Sequence, residues 1–116
     1  RNITNDGIAL EPISPGVSTD GFASLTNVTL ADIGDNGIRT VGQEIGGGVS
    51  FISSSMFDIG QAGILASQVG NATGGSGALV RVAQNSSINS TGTAGIQVTD
   101  SNLRVSDSTF ANNFWN

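Results

Sequence analysis

The chain has 116 residues and a formal net charge of −5, with 11% charged and 37% hydrophobic residues. This length suits one domain, and the apolar content is too high for a disordered chain. The absence of histidine and cysteine excludes histidine-based catalytic triads, ordinary zinc sites and disulfide frameworks. Four dispersed arginines and no lysine argue against nucleic-acid binding. No apolar run approaches the ~18 residues that a membrane span requires.

One seven-residue motif occurs four times, at residues 2–8, 32–38, 58–64 and 90–96. It reads polar, β-branched, small, two variable residues, glycine and isoleucine, and its glycines are separated by 30, 26 and 32 residues. The glycine–isoleucine pairs are Gly7–Ile8, Gly37–Ile38, Gly63–Ile64 and Gly95–Ile96. Such self-similarity predicts stacked repeats. We expect each glycine to lie where the backbone needs a positive φ or a close approach.

Each repeat predicts three short strands separated by tight turns. The first strand begins at the motif isoleucine and alternates in polarity, as in 38–40, which indicates one buried face. Apolar residues of the second and third strands follow at regular offsets: Leu25, Phe51, Val105, Leu30, Met56, Ile88 and Phe110. In the third copy Val82 is one residue out of phase with Ile88. This predicts a bulge or an inserted residue near Asn85 and Ser86.

The sequence therefore predicts an all-β fold, a parallel β-helix (β-solenoid) of about four coils with three short strands per coil. Residues 1–116 are expected to form a single solenoid domain or a segment of a longer solenoid. The variable spacing places loops at 11–22, 42–48 and 70–77. A β-sandwich is the alternative, but it would not require the same motif four times in register.

This repeat, with three strands per coil and loops of variable length, resembles the right-handed parallel β-helix superfamily. That superfamily includes pectate lyases, phage tailspikes and the passenger domains of bacterial autotransporter adhesins. The resemblance covers nearly the whole chain and concerns architecture alone. It implies an extracellular or cell-surface protein.

The first motif position forms a polar column along the solenoid, made of Asn2, Asp32, Asp58, Ser90 and Asn112. In adjacent coils Asp32 and Asp58 would lie about 4.8 Å apart, near enough to share a proton or to hold calcium. Because asparagine and serine fill the same column, we favour a polar turn ladder. We assign no catalytic, cofactor-binding or metal-binding residue and predict that the chain is not an enzyme.

Asn2 and Asn112 share one repeat position, so the chain begins and stops near the same phase of the coil. We expect uncapped ends, whose open strand edges are templates for further pairing. The aromatic residues Phe110, Phe114 and Trp115 are candidates for a subunit interface.

The leading functional hypothesis is an extracellular structural β-solenoid that stacks head to tail into a filament or forms a surface adhesin or fibre segment. Its partner would be another copy or adjoining coils. One alternative is a carbohydrate-binding or polysaccharide-cleaving β-helix, for which Asp32 and Asp58 would be the acids. Another is a phage or host-surface recognition module that uses the loops at 11–22 and 70–77.

Overall fold

The computed structural model describes residues 5–10, 22–41, 48–67, 69 and 79–113. These residues form twelve β-strands and no helix. In chain order the strands are β1 (Ile8–Leu10), β2 (Phe22–Thr26), β3 (Thr29–Ile33), β4 (Ile38–Val41), β5 (Gly48–Ile52), β6 (Ser55–Ile59), β7 (Ile64–Ser67), β8 (Leu79–Ala83), β9 (Ser87–Asn89), β10 (Ile96–Thr99), β11 (Leu103–Val105) and β12 (Thr109–Ala111).

The strands lie in three parallel sheets of four. The first sheet has the order β1-β4-β7-β10, the second β2-β5-β8-β11 and the third β3-β6-β9-β12. Every strand therefore pairs with the strand three places before or after it in the chain. Successive groups of three strands form coils 1 to 4, which confirms the predicted four-coil parallel β-solenoid.

Equivalent residues of successive coils lie in register and form columns along the solenoid. Ile8 pairs with Ile38, Ile38 with Ile64, and Ile64 with Ile96. Ile38 and Ile64 are fully buried because coils lie on both sides of them. The other large, fully buried apolar side chains of coils 2 and 3 are Val49, Phe51, Met56, Val69, Val80, Val82 and Ile88. The alternation read from the sequence thus places one side chain of each pair in a single continuous core.

The motif glycines are required by close backbone approach. None of the four has a positive φ. A Cβ on Gly63 would lie 2.5 Å from the carbonyl oxygen of Gly95 and 2.5 Å from Ile88 Cγ2. A Cβ on Gly7 would lie 2.6 Å from the carbonyl oxygen of Gly37. Of the two explanations for these glycines, the structure supports steric exclusion between coils.

The extra residue of the third repeat is accommodated in a turn. Ile52 pairs with Ala83 and Ser55 with Ser87, so coil 3 has one more residue between these points than coil 2. Gln84 has a φ of 58° and Asn85 a φ of 63°. Two left-handed residues in succession take up the extra length, and the strands on either side keep their register.

Candidate functional site

The inward positions of coil 4 form an exposed apolar edge. Val98, Leu103 and Val105 are 38%, 39% and 42% exposed. Their register partners in coil 3 are fully buried: Ala66, Val80 and Val82. The same columns therefore change from core to surface in a single step, because no described strand covers coil 4.

The backbone of coil 4 is open on the same side. Within the described residues β10, β11 and β12 each pair with one neighbour, in coil 3. The sequence-predicted interface residue Phe110 lies in β12, is partly buried and packs against the core. Unpaired strand groups beside exposed apolar side chains favour the addition of another strand.

Coil 1 presents apolar residues in the matching columns. Ile8, Leu10 and Leu30 are partly buried and pack against the core. Ile8 shares its column with Ile96 of coil 4, through Ile38 and Ile64. The two outer coils therefore have the same apolar character at equivalent positions.

One corner of coil 4 is polar. Along this column Ile33 pairs with Ile59, and Ile59 forms a bridge to Thr91. In coil 4, Asn113 Oδ1 accepts a hydrogen bond from Thr91 N at 3.1 Å, and its Nδ2 donates to the carbonyl of Ile88 at 3.0 Å. Asn113 thus satisfies backbone groups of coil 3, and the apolar edge is confined to the remaining columns.

The polar column of the motif has a conformational explanation. Asp32, Asp58, Ser90 and Asn112 have φ values of 56°, 55°, 53° and 54° and are all exposed. Aspartate and asparagine tolerate this left-handed conformation better than most residues. The fifth predicted member, Asn2, lies outside the described residues. Among residues that are described, no group of three or more histidine, cysteine, aspartate or glutamate residues could hold a metal ion.

A buried polar network escaped the sequence pattern. Asp6 Oδ1 accepts hydrogen bonds from Asn36 N at 3.1 Å and Nδ2 at 2.9 Å, and Asp6 Oδ2 forms an ion pair with Arg39 Nε at 2.9 Å. Asn36 Oδ1 continues the series by accepting from Ala62 N at 3.1 Å. Burial acts to raise the pKa of Asp6, but the bonds from Asn36 and Arg39 together outweigh it and lower that pKa. The network occupies a motif position that the sequence comparison treats as variable.

A second missed feature is a ladder of serine hydroxyls at the turn before the third strand. Ser86 Oγ donates to the carbonyls of Ala83 at 2.8 Å and Phe51 at 3.1 Å, and accepts from Ser54 N at 3.2 Å. Ser54 Oγ in turn accepts from Val28 N at 3.0 Å. Each serine precedes the apolar residue of its third strand by two positions. That spacing was visible in the sequence, although the abundance of serine concealed it.

Three sequence-based hypotheses concern residues beyond the described ranges. Phe114 and Trp115 lie there, as do residues 11–21 and 70–77 of the predicted recognition loops. In the part of the chain that is described, no helix is long and apolar enough to cross a membrane. Comparison with protein-family models, curated proteins and solved structures finds no significant match. The functional argument therefore depends on the geometry above.

Proposed function

We propose that the chain is an extracellular structural β-solenoid whose coil 4 receives coil 1 of another copy, so that copies stack head to tail in a filament or fibre. The observation that carries the proposal is the exposure of Val98, Leu103 and Val105 in columns that are fully buried one coil earlier. Stacking would bury these side chains and pair the open edges of β10 and β11. A contact between two different ends does not close on itself, so it produces an open fibre.

The matching columns of coils 1 and 4 support this partner. A copy placed in register would set Ile8 on Ile96 and Leu10 on Val98, repeating the contacts inside the solenoid. The three-sheet architecture is compatible with right-handed parallel β-helices. Membership of that superfamily, a cell-surface location and a role as an adhesin or fibre segment are parts of the same proposal. No catalytic role is proposed for the chain.

Assembly of the purified chain tests the proposal. We expect light scattering and electron microscopy to show species that lengthen with protein concentration. Val105→Asp should prevent this growth, because a carboxylate would be buried in the new interface. A monomer at every concentration would contradict stacking between copies.

Phe57→Asp is the matched control. Phe57 is 39% exposed, similar to Val105, but it lies on β6 in coil 2 and its exposed surface belongs to the side of the solenoid. This variant should assemble as the parent does. Equal loss of assembly in both variants would show that general acidity, and not the coil 4 edge, controls association. Circular dichroism checks that each variant remains folded.

A further inference from the structure

Two arginines lie side by side on the outer face of the second sheet. Arg104 of β11 pairs in register with Arg81 of β8, and Arg81 pairs with Ser50 of β5. Ser50 pairs with Ser24 of β2, which completes one outward column of four hydrogen-bond donors. Both arginines are exposed, and neighbouring strands of a sheet are about 4.8 Å apart.

This arrangement is unexpected in a chain with nine acidic and four basic residues. Like charges directly opposite each other on neighbouring strands are destabilising. The four strands of the second sheet contain no aspartate or glutamate. Among the described residues the ion pair is Arg39–Asp6, so Arg81 and Arg104 have none. Asp100 and Asp107 lie in the turns on either side of β11.

We propose that the column Ser24–Ser50–Arg81–Arg104 binds a linear acidic polysaccharide lying along the solenoid. Guanidinium groups match the planar geometry of carboxylates and bind sulfates through charge-assisted hydrogen bonds. The serine hydroxyls of the same column donate to and accept from sugar hydroxyls. An oxyanion between the two arginines would also remove their mutual repulsion. The small number of positive charges disfavours densely charged nucleic acids.

Affinity electrophoresis tests this inference, with gels that contain polygalacturonate, dextran sulfate or neutral dextran. We expect retardation by one or both anionic polymers and none by neutral dextran. The two anionic gels distinguish carboxylate from sulfate recognition. Arg81→Gln and Arg104→Gln should each weaken binding by about tenfold or more, since each removes a charge-assisted contact. Each should also raise the Tm of the free protein, because like-charge repulsion is relieved.

A pair of arginine insertions separates geometry from net charge. Ser50→Arg extends the column to three adjacent arginines and should strengthen retardation. Gln97→Arg adds the same charge on the exposed outer face of β10 in the first sheet, and should leave it unchanged. Equal strengthening by both variants would overturn the proposal, as would equal retardation by polyglutamate, which has carboxylates but no hydroxyls. No retardation by either anionic polysaccharide would also overturn it.

Discussion

Asn36 donates two hydrogen bonds to one carboxylate oxygen of Asp6, from its backbone N at 3.1 Å and from its side-chain Nδ2 at 2.9 Å. The other carboxylate oxygen of Asp6 contacts Arg39 Nε at 2.9 Å. Three donors from coil 2 thus converge on a single acid of coil 1. This acid joins the two coils at the start of the first sheet.

The lowered pKa of Asp6 predicts an acid-sensitive contribution to stability. Because the folded-state pKa lies below the unfolded one, the contribution is complete above the unfolded-state pKa of about 4 and is lost as pH falls through the folded-state value. Asp6→Asn should lower the free energy of unfolding at pH 7 by about 1 kcal/mol, allowing for the partial exposure of Arg39. Urea denaturation at pH 7 and pH 3 measures both effects.

Asp35→Asn is the charge-matched control for Asp6→Asn. Asp35 Oδ1 accepts a hydrogen bond from Gln61 Nε2 at 2.9 Å in an exposed setting. Its substitution should change stability by less than about 0.5 kcal/mol, as is usual for surface sites. If the two variants lose the same stability at pH 7, the Asp6 network has no special role.

Ser86→Ala should destabilise the protein by about 1–3 kcal/mol, because it leaves the buried N–H of Ser54 without its acceptor. Ser108→Ala provides the comparison, since Ser108 Oγ donates to the carbonyl of Ser106 at 2.8 Å in an exposed turn of coil 4. Thermal and urea unfolding should show the smaller loss for Ser108→Ala. The reverse order would contradict the serine ladder as a stabilising feature.

Thr40→Val should stabilise the protein. Thr40 is fully buried in the core column between Leu10 and Ala66, and its Oγ1 has no hydrogen-bond partner among the described residues. Valine has nearly the same shape and removes an unpaired polar atom, so we expect a gain of about 1 kcal/mol in chemical denaturation. Thr99→Val, at an exposed position of β10, should give no such gain. A loss of stability in Thr40→Val would show that the hydroxyl is satisfied in solution.

Gly63→Ala should cost about 1–3 kcal/mol, the range for overpacking a filled core. Its Cβ would meet the carbonyl oxygen of Gly95 and the side chain of Ile88, both at 2.5 Å. Because Gly63 has no positive φ, backbone strain adds nothing, and unfolding measurements report the steric conflict alone. A neutral result would mean that neighbouring coils separate easily at this point.

Asp58 offers a test of conformation against side-chain chemistry. Its φ of 55° predicts that Asp58→Gly is tolerated or mildly stabilising, whereas Asp58→Val loses about 1–2 kcal/mol. Thermal unfolding of both variants makes the comparison. Equal destabilisation by glycine and valine would indicate that the carboxylate, and not the turn, is required.

The repeating columns were predictable because identical residues recur at a nearly constant phase. Ile8, Ile38, Ile64 and Ile96 mark the first sheet, and the phase shift at Val82 located the extra residue of coil 3. Equivalent core positions face the same neighbours, so packing imposes the same residue type on every coil. Sequence periodicity records that constraint directly.

The polar contacts were much harder to predict. Asp6, Asn36, Ala62 and Ala94 occupy one position before the motif glycines, and only the first two contribute side-chain acceptors to the network. A hydrogen bond between coils depends on two unlike residues and leaves no periodic signal. The exposure of Val105 was equally hidden, because its residue type is that of the core column to which it belongs.

The ladder contacts also determine how the chain can fold. The hydrogen bonds between coils that involve side chains join residues 22 to 35 positions apart in the sequence. No coil can form its sheets before its neighbour is present, yet none needs a neighbour from the far end of the chain. Folding can therefore proceed by successive addition of coils to a small nucleus, with coils 2 and 3 as the best-buried pair. Hydrogen exchange should then be slowest in β5 and β8 and become faster toward β1 and β11.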